Sequence, residues 1–360
     1  MKRRDFVKYA ALGSLAIAMP FPVFGTGEPN DIMRKKAMQI HKKALTLDSH
    51  TDTPLQFRNK GWNFGALNNP RKGGGKIDIP RMQAGGLDAA FFAVFIGQGK
   101  RDDEGFAKAK QRALELFEAI KTKTAENAEN AQLAFKSSDL ANIAKTGKRA
   151  IYMGIENGYP VGNDIKNVQE FYNLGARYIT LCHSKNNHIC DSSTDAVVEH
   201  NGLSEYGKKV VAEMNRLGIM VDVSHISDKS FLDVIETSKT PVIASHSCAK
   251  ALCDHPRNLS NDLLRKLKAN GGVIQMCILS DYVVPAEKNP ERDLVFRELY
   301  ARYRNFDSMN EAEKEKLDVD WEAAEERFPQ KLATVADAVN HIDHIVKTIG
   351  IDYVGIGTDF

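Results

Sequence analysis

The stretch 218–246, GIMVDVSHISDKSFLDVIETSKTPVIASH, decides the fold. Two short apolar runs, 218–224 and 241–245, open on Gly and Pro as buried strands often do. Between them, 229–237 carries its apolar residues three and four apart, the signature of one buried helix face. Strand, helix and strand in so little chain make one unit of a parallel β/α fold. Both runs lead straight into a histidine, His225 and His246.

Outward from this unit the same alternation recurs. Apolar runs at 44–49, 87–96, 149–155, 177–182, 271–278 and 352–358 bring the total to eight, and helical periodicity returns at 203–217, 262–269 and 335–349. Eight parallel strands with intervening helices predict an α/β fold, a (β/α)8 TIM barrel. The long connections 97–148 and 279–334, the second with the charged run 311–316, read as solvated helical elaborations. No repeat, low-complexity tract or linker divides residues 27–360, so a single domain is expected. The last run is followed almost at once by Asp359 and Phe360, which predicts a barrel truncated after strand 8 and lacking its C-terminal end. An early element at 32–43 is the alternative way to close it.

With 42% hydrophobic and 27% charged residues, the 360-residue chain has the composition of a folded, soluble protein. Lys and Arg number 49 against 47 Asp and Glu, a net charge of +2 that gives no electrostatic reason to expect nucleic acid. The first 26 residues stand apart: a basic cluster with Arg3-Arg4, an apolar stretch, then prolines and small residues. This is the pattern of a twin-arginine export signal, which predicts a periplasmic protein without a stable membrane anchor after cleavage. The apolar stretch falls short of the ~20 residues that span a bilayer. The odd cysteine count, five, and the lack of any C-x-x-C pair argue for buried thiols rather than disulfides or a cysteine–zinc cluster.

The chemistry lies at the ends of the runs. His50 and Asp52 stand two apart at the end of the first, where alternate strand residues share a face. Glu156, His183, His225, His246 and Asp359 follow the third, fourth, fifth, sixth and eighth. A parallel barrel opens all strand C-termini on one rim, the place of the active site in these folds. Imidazoles and carboxylates buried together there lack balance unless cations organise them. Such a set, without Cys, suits zinc and is large enough for two ions. By contrast His41, His188, His200, His255, His341 and His344 fall on helices or loops, where a solvated or capping role is the default.

The segments LDSHTD, GIENGYP, HSKNNHICDSS, VDVSH, ASHSCAKALCDHPRNLS and GIGTDF, spread over nearly the whole chain after the leader, closely resemble the membrane dipeptidase (renal dipeptidase) family of zinc peptidases. The resemblance implies two Zn2+ per chain, His50 and Asp52 on the first, Glu156 bridging, and His225 and His246 on the second. It also implies His183 as a catalytic, substrate-contacting histidine, Arg257 as the arginine for the substrate carboxylate, and Asp359 as the strand-eight aspartate. On this basis the expected activity is hydrolysis of dipeptides by a metal-bridging hydroxide, with Asp359 moving the proton and His183 stabilising the oxyanion. Family members continue past this aspartate with a further stretch that is absent here. The rival expectations are another binuclear amidohydrolase, acting on an N-acyl amino acid or a lactam, and a non-catalytic periplasmic metal or peptide binder. Small dipeptides are the expected partners, and a homodimer is the association considered.

Overall fold

The computed structural model describes residues 28–58, 61–70, 75–303 and 309–360. The leader at 1–26 lies outside them. Helix α1 (Glu28–His41) precedes strand β1 (Leu47–Thr51), a 3-10 turn (Thr53–Arg58) and α2 (Ile79–Gly85), which leads to β2 (Ala89–Phe95). Next come α3 (Asp103–Glu126), β3 (Ala131–Leu133), α4 (Ser137–Ala144), β4 (Arg149–Glu156), α5 (Lys166–Leu174) and β5 (Ala176–Thr180). The order continues α6 (Glu205–Leu217), β6 (Met220–Asp222), α7 (Asp228–Thr237), β7 (Ile243–Ser247), α8 (Asn261–Ala269) and β8 (Val273–Met276). Helices α9 (Ser280–Val283), α10 (Pro290–Arg302), α11 (Glu311–Arg327) and α12 (Val335–Ile349) then lead to β9 (Val354–Ile356).

All pairings between these strands are parallel, and the ring β1-β2-β4-β5-β6-β7-β8-β9 closes where Asp48 pairs with Ile356. The eight strands are the eight apolar runs of the sequence, and the TIM barrel is realised. Strand β3 is an addition that the sequence did not announce: Ala131–Leu133 pairs with Arg149–Ile151 at the start of β4. The ring closes by the pairing of β1 with β9. In α1, Ile40 is buried while Ile32, Met33 and Met38 face solvent, and Ile356 of β9 is also open.

Local chemistry starts and stops the helices where the barrel needs them. Ser204, Ser227 and Ser260 accept from the backbone N–H of Gly207, Ser230 and Leu263, and Thr334 accepts from Asp337. Each such cap is worth about 1 kcal/mol. Gly218 ends α6 at φ 78, a left-handed conformation that a side chain would resist.

The connection 97–148 differs from its expected solvated character. Helix α3 buries Phe106, Ala113, Leu116, Phe117 and Ile120 in the main core, so it is a wall helix of the barrel. Its opposite face, rich in Lys and Glu, hid this in the composition. The connection 279–334 keeps closer to expectation, with Phe296, Leu299 and Ala324 forming a small cluster of their own. His341 and His188 depart from the default for helix and loop histidines. His341 is buried, with its ring between the Ala249 N–H and the Val283 carbonyl, while His188 is enclosed by Phe106 and Tyr206. All five cysteines are free and buried. Among the described residues no helix is long and apolar enough to cross a membrane.

Candidate metal centre

The residues that gather at the rim come from strands with two kinds of pairing. Strands β2 and β4 pair without interruption from Ala89↔Ala150 to Phe95↔Glu156, and this regular ladder carries Glu156 to the mouth. Strand β1 has one extra residue between Asp48↔Ala90 and Thr51↔Phe92, and β7 has one between Ala244↔Ile274 and Ser247↔Met276. His50 and His246 lie inside these two bulges. A bulge interrupts the two-residue alternation and turns a side chain to a new direction. The expectation that His50 and Asp52 share a face as alternate strand residues is therefore corrected: Asp52 lies beyond the end of β1, and the bulge and the following turn bring the pair together.

Glu156 is the hub. Its Oε2 lies 3.4 Å from His50 Nε2, while its Oε1 lies 3.1 Å from His225 Nε2 and 3.6 Å from both His246 Nε2 and His183 Nε2. The two oxygens thus serve opposite sides of one cavity. Asp52 Oδ1 is 4.0 Å and Asp359 Oδ1 3.7 Å from His50 Nε2, and the Nε2 atoms of His225 and His246 are only 2.7 Å apart. Three sets of potential ligand atoms lie within 4.8 Å of one another: His50–Asp52–Glu156, Glu156–His183–His225 and His50–His246–Asp359. The first is the set expected for one ion. The other two place His183 beside Glu156 and His225, and Asp359 beside His50 and His246.

A cation suits this donor set. His50 Nε2, Asp52 Oδ1 and His225 Nδ1 are buried atoms without a hydrogen-bond partner, a costly condition unless something binds them. Charge balance points the same way. Burial opposes protonation of His50, yet Glu156, Asp359 and Asp52 drive it up to about 10. Crowding by protein and the nearby Glu156 carboxylate push Asp52 up to about 8. Burial holds His225 and His246 well below the usual imidazole range, leaving them neutral and able to donate lone pairs. Burial also lowers His183, against the pull of Glu156.

Behind the rim, a layer of hydroxyls and carboxylates fixes the side chains of the mouth. Ser245 Oγ donates to Asp222 Oδ2 at 2.6 Å, so its contact of 2.7 Å with His246 Nδ1 accepts the ring proton and leaves Nε2 free. Asp222 also accepts from Thr180 Oγ1 and from the backbone N–H of Ser224 and Ser245. Asp48 accepts from the hydroxyl and backbone N–H of Thr358 and from the backbone N–H of His50. These acids were not singled out in the sequence. Their one signal is position, Asp48 two residues before His50 and Asp222 three before His225. Asn157, His225 and Asp359 take φ of 73, 71 and 64, left-handed values rare outside glycine, at points where the chain turns away from the rim.

Arg257 is 3% exposed, with its Nη2 donating to the His246 carbonyl at 3.0 Å and its guanidinium over the Tyr282 ring. Its Nε has no partner, so donor capacity remains beside the cluster. His183, with 27% of its side chain exposed, forms the solvent-facing edge.

Fold and cluster together define a TIM barrel whose mouth gathers side chains that could hold a cation. The profile of the membrane dipeptidase family (Peptidase family M19) matches residues 34–360, and the chain belongs to that family. It is 32% identical over 294 residues to dipeptidase tcpJ of Claviceps purpurea, covering 79% of this chain and 58% of that one. It is 29% identical over 345 residues to an uncharacterized dipeptidase of Schizosaccharomyces pombe, covering 92% and 73%. The crystal structure of the probable dipeptidase PvdM from Pseudomonas aeruginosa superposes with a TM-score of 0.75 at 28% identity, covering 91% of this chain and 86% of that one.

Proposed function

We propose that this protein is a binuclear zinc dipeptidase. The observation that carries the proposal is the division of Glu156: one carboxylate oxygen faces His50, and the other faces His225 and His246. His50 and Asp52 would hold one ion, His225 and His246 the other, and Glu156 both. When bound, two such ions would supply an electrophile for the peptide carbonyl and lower the pKa of water to about 7.

The chain's own groups account for the remaining steps. Asp359, 3.7 Å from His50 Nε2 at the rim, accepts the proton of the attacking water and returns it to the departing amine. His183 donates to the carbonyl oxygen as negative charge builds there. Arg257, with a free donor, takes the substrate's C-terminal carboxylate and so restricts the site to short peptides. The leader at 1–26 supports export to the periplasm by the twin-arginine route.

The test is release of amino acids from L,L and L,D dipeptides compared with the same peptides capped at the carboxylate. Capping should remove most of the rate. Equal rates on capped substrates would transfer the proposal to another amide-hydrolysing activity, and retention of zinc without any turnover would favour a binder.

A further inference from the structure

We infer that Tyr178 is a positioning residue of the metal centre, its hydroxyl holding the proton of His50 on Nδ1 so that Nε2 faces the cation. The inference rests on the cation-binding role proposed for this cluster. Tyr178 lies on β5, across the barrel interior from β1, and is fully buried. Its hydroxyl oxygen is 2.8 Å from His50 Nδ1. On the far side of the same ring, Nε2 meets Asp52, Glu156 and Asp359 at 4.0, 3.4 and 3.7 Å and has no hydrogen-bond partner. One nitrogen is thus engaged by a neutral hydroxyl and the other is surrounded by carboxylates. A phenol oxygen can accept from Nδ1–H, which leaves the Nε2 lone pair as the one available to a metal.

The barrel is built to let the phenol reach this place. A Cβ on Gly154 would stand 2.2 Å from Tyr178 Cζ, so only glycine on β4 lets the ring lie there. Phe91 of β2 packs against the ring with centroids 5.1 Å apart. The aromatic layer that fills the lower barrel, Phe91, Tyr152 and Tyr178, therefore extends upward through a single hydroxyl into the polar mouth. His246 receives the same service from Ser245 and Asp222, and His50 is the histidine whose Nδ1 partner comes from across the barrel.

Tyr178→Phe deletes the hydroxyl and keeps the ring. Metal-free full-length protein is titrated with zinc against a chromophoric chelator. The wild type should bind two ions, and the variant should bind one of them ~10–100-fold more weakly, the usual loss when a supporting partner of a ligand is removed. The unfolding midpoint of the metal-free variant should stay near that of the wild type. Equal zinc affinities at both sites would overturn the inference while leaving the metal centre intact. Failure of the wild type to bind zinc would instead overturn the metal centre and the inference with it. A second measurement needs no variant: long-range 1H–15N correlation of histidine-labelled, zinc-loaded wild type should show His50 protonated at Nδ1 and coordinated through Nε2. The reverse pattern would refute the role of Tyr178.

Discussion

The β2–β4 ladder and the strands β1 and β7 belong to one barrel but obey different rules. The ladder pairs seven residues in unbroken register and packs Phe92, Val94, Met153 and Ile155 into the walls. Each of the other two strands carries an extra residue, and each extra residue falls beside a histidine of the mouth. Regular pairing supplies rigidity and delivers Glu156 at a fixed height. Irregular pairing supplies direction, because a bulge releases a side chain from the up-and-down alternation of the pleat. The centre needs both: a fixed carboxylate hub and imidazoles turned toward it from neighbouring strands.

The comparison can be broken most severely at the hub. Glu156→Gln removes the charge that both sides share, so both ions should be lost together after dialysis, as read by elemental analysis. Dipeptide turnover should fall by more than the ~10²–10³-fold attributable to one oxyanion donor. Retention of two zincs per chain would show that the bulged strands hold the ions without the ladder. At the rim, His183→Ala should lower kcat by about 10²–10³-fold while keeping the metal content, and loss of an ion would move His183 among the ligands.

The support behind the bulge of β7 is tested by Ser245→Ala, which cuts the link between Asp222 and His246. Zinc affinity at one site should weaken ~10–100-fold in a chelator competition, with the other site unchanged. Within the ladder, Gly154→Ala should destabilise the metal-free protein by about 1–3 kcal/mol in urea unfolding, because the added methyl group meets the Tyr178 ring. A neutral result would mean that the ladder yields as readily as the bulged strands. The smallest effect lies away from the mouth. Burial lowers His188 to about 4 from its ordinary 6.5, so the unfolded chain gains a proton there before the folded one does. Its share of stability is present above pH 6.5 and is lost as pH falls from there to about 4. His188→Gln should flatten the pH dependence of the unfolding midpoint over that window without changing zinc content.

Much of this was legible in the sequence because it is local. Apolar runs, several of them opening after Gly or Pro, marked the eight strands, and α12 spans the residues whose periodicity predicted it. The rim residues were legible because a parallel barrel places all strand ends on one side. Charge and composition misled at α3, where a Lys- and Glu-rich surface hides a buried face with Phe117 and Ile120. Position on a helix misled at His341, whose burial depends on the Ala249 amide and Val283 carbonyl brought to it by distant loops. Asp48 and Asp222 carry no motif of their own, since an acid within a strand announces nothing until its partners are known.

The sequence by itself determined the β/α alternation, the kinds of imidazole and carboxylate residue at the mouth and their places at the ends of strands, because these depend on periodicity and local propensity. Only the tertiary structure decided where each nitrogen points. The bulges in β1 and β7 exist relative to β2 and β8, and the Tyr178 hydroxyl meets His50 from 128 positions away. The reason is physical: strand register and side-chain aim are set by contacts between segments remote in the chain, and no short window of residues contains those contacts.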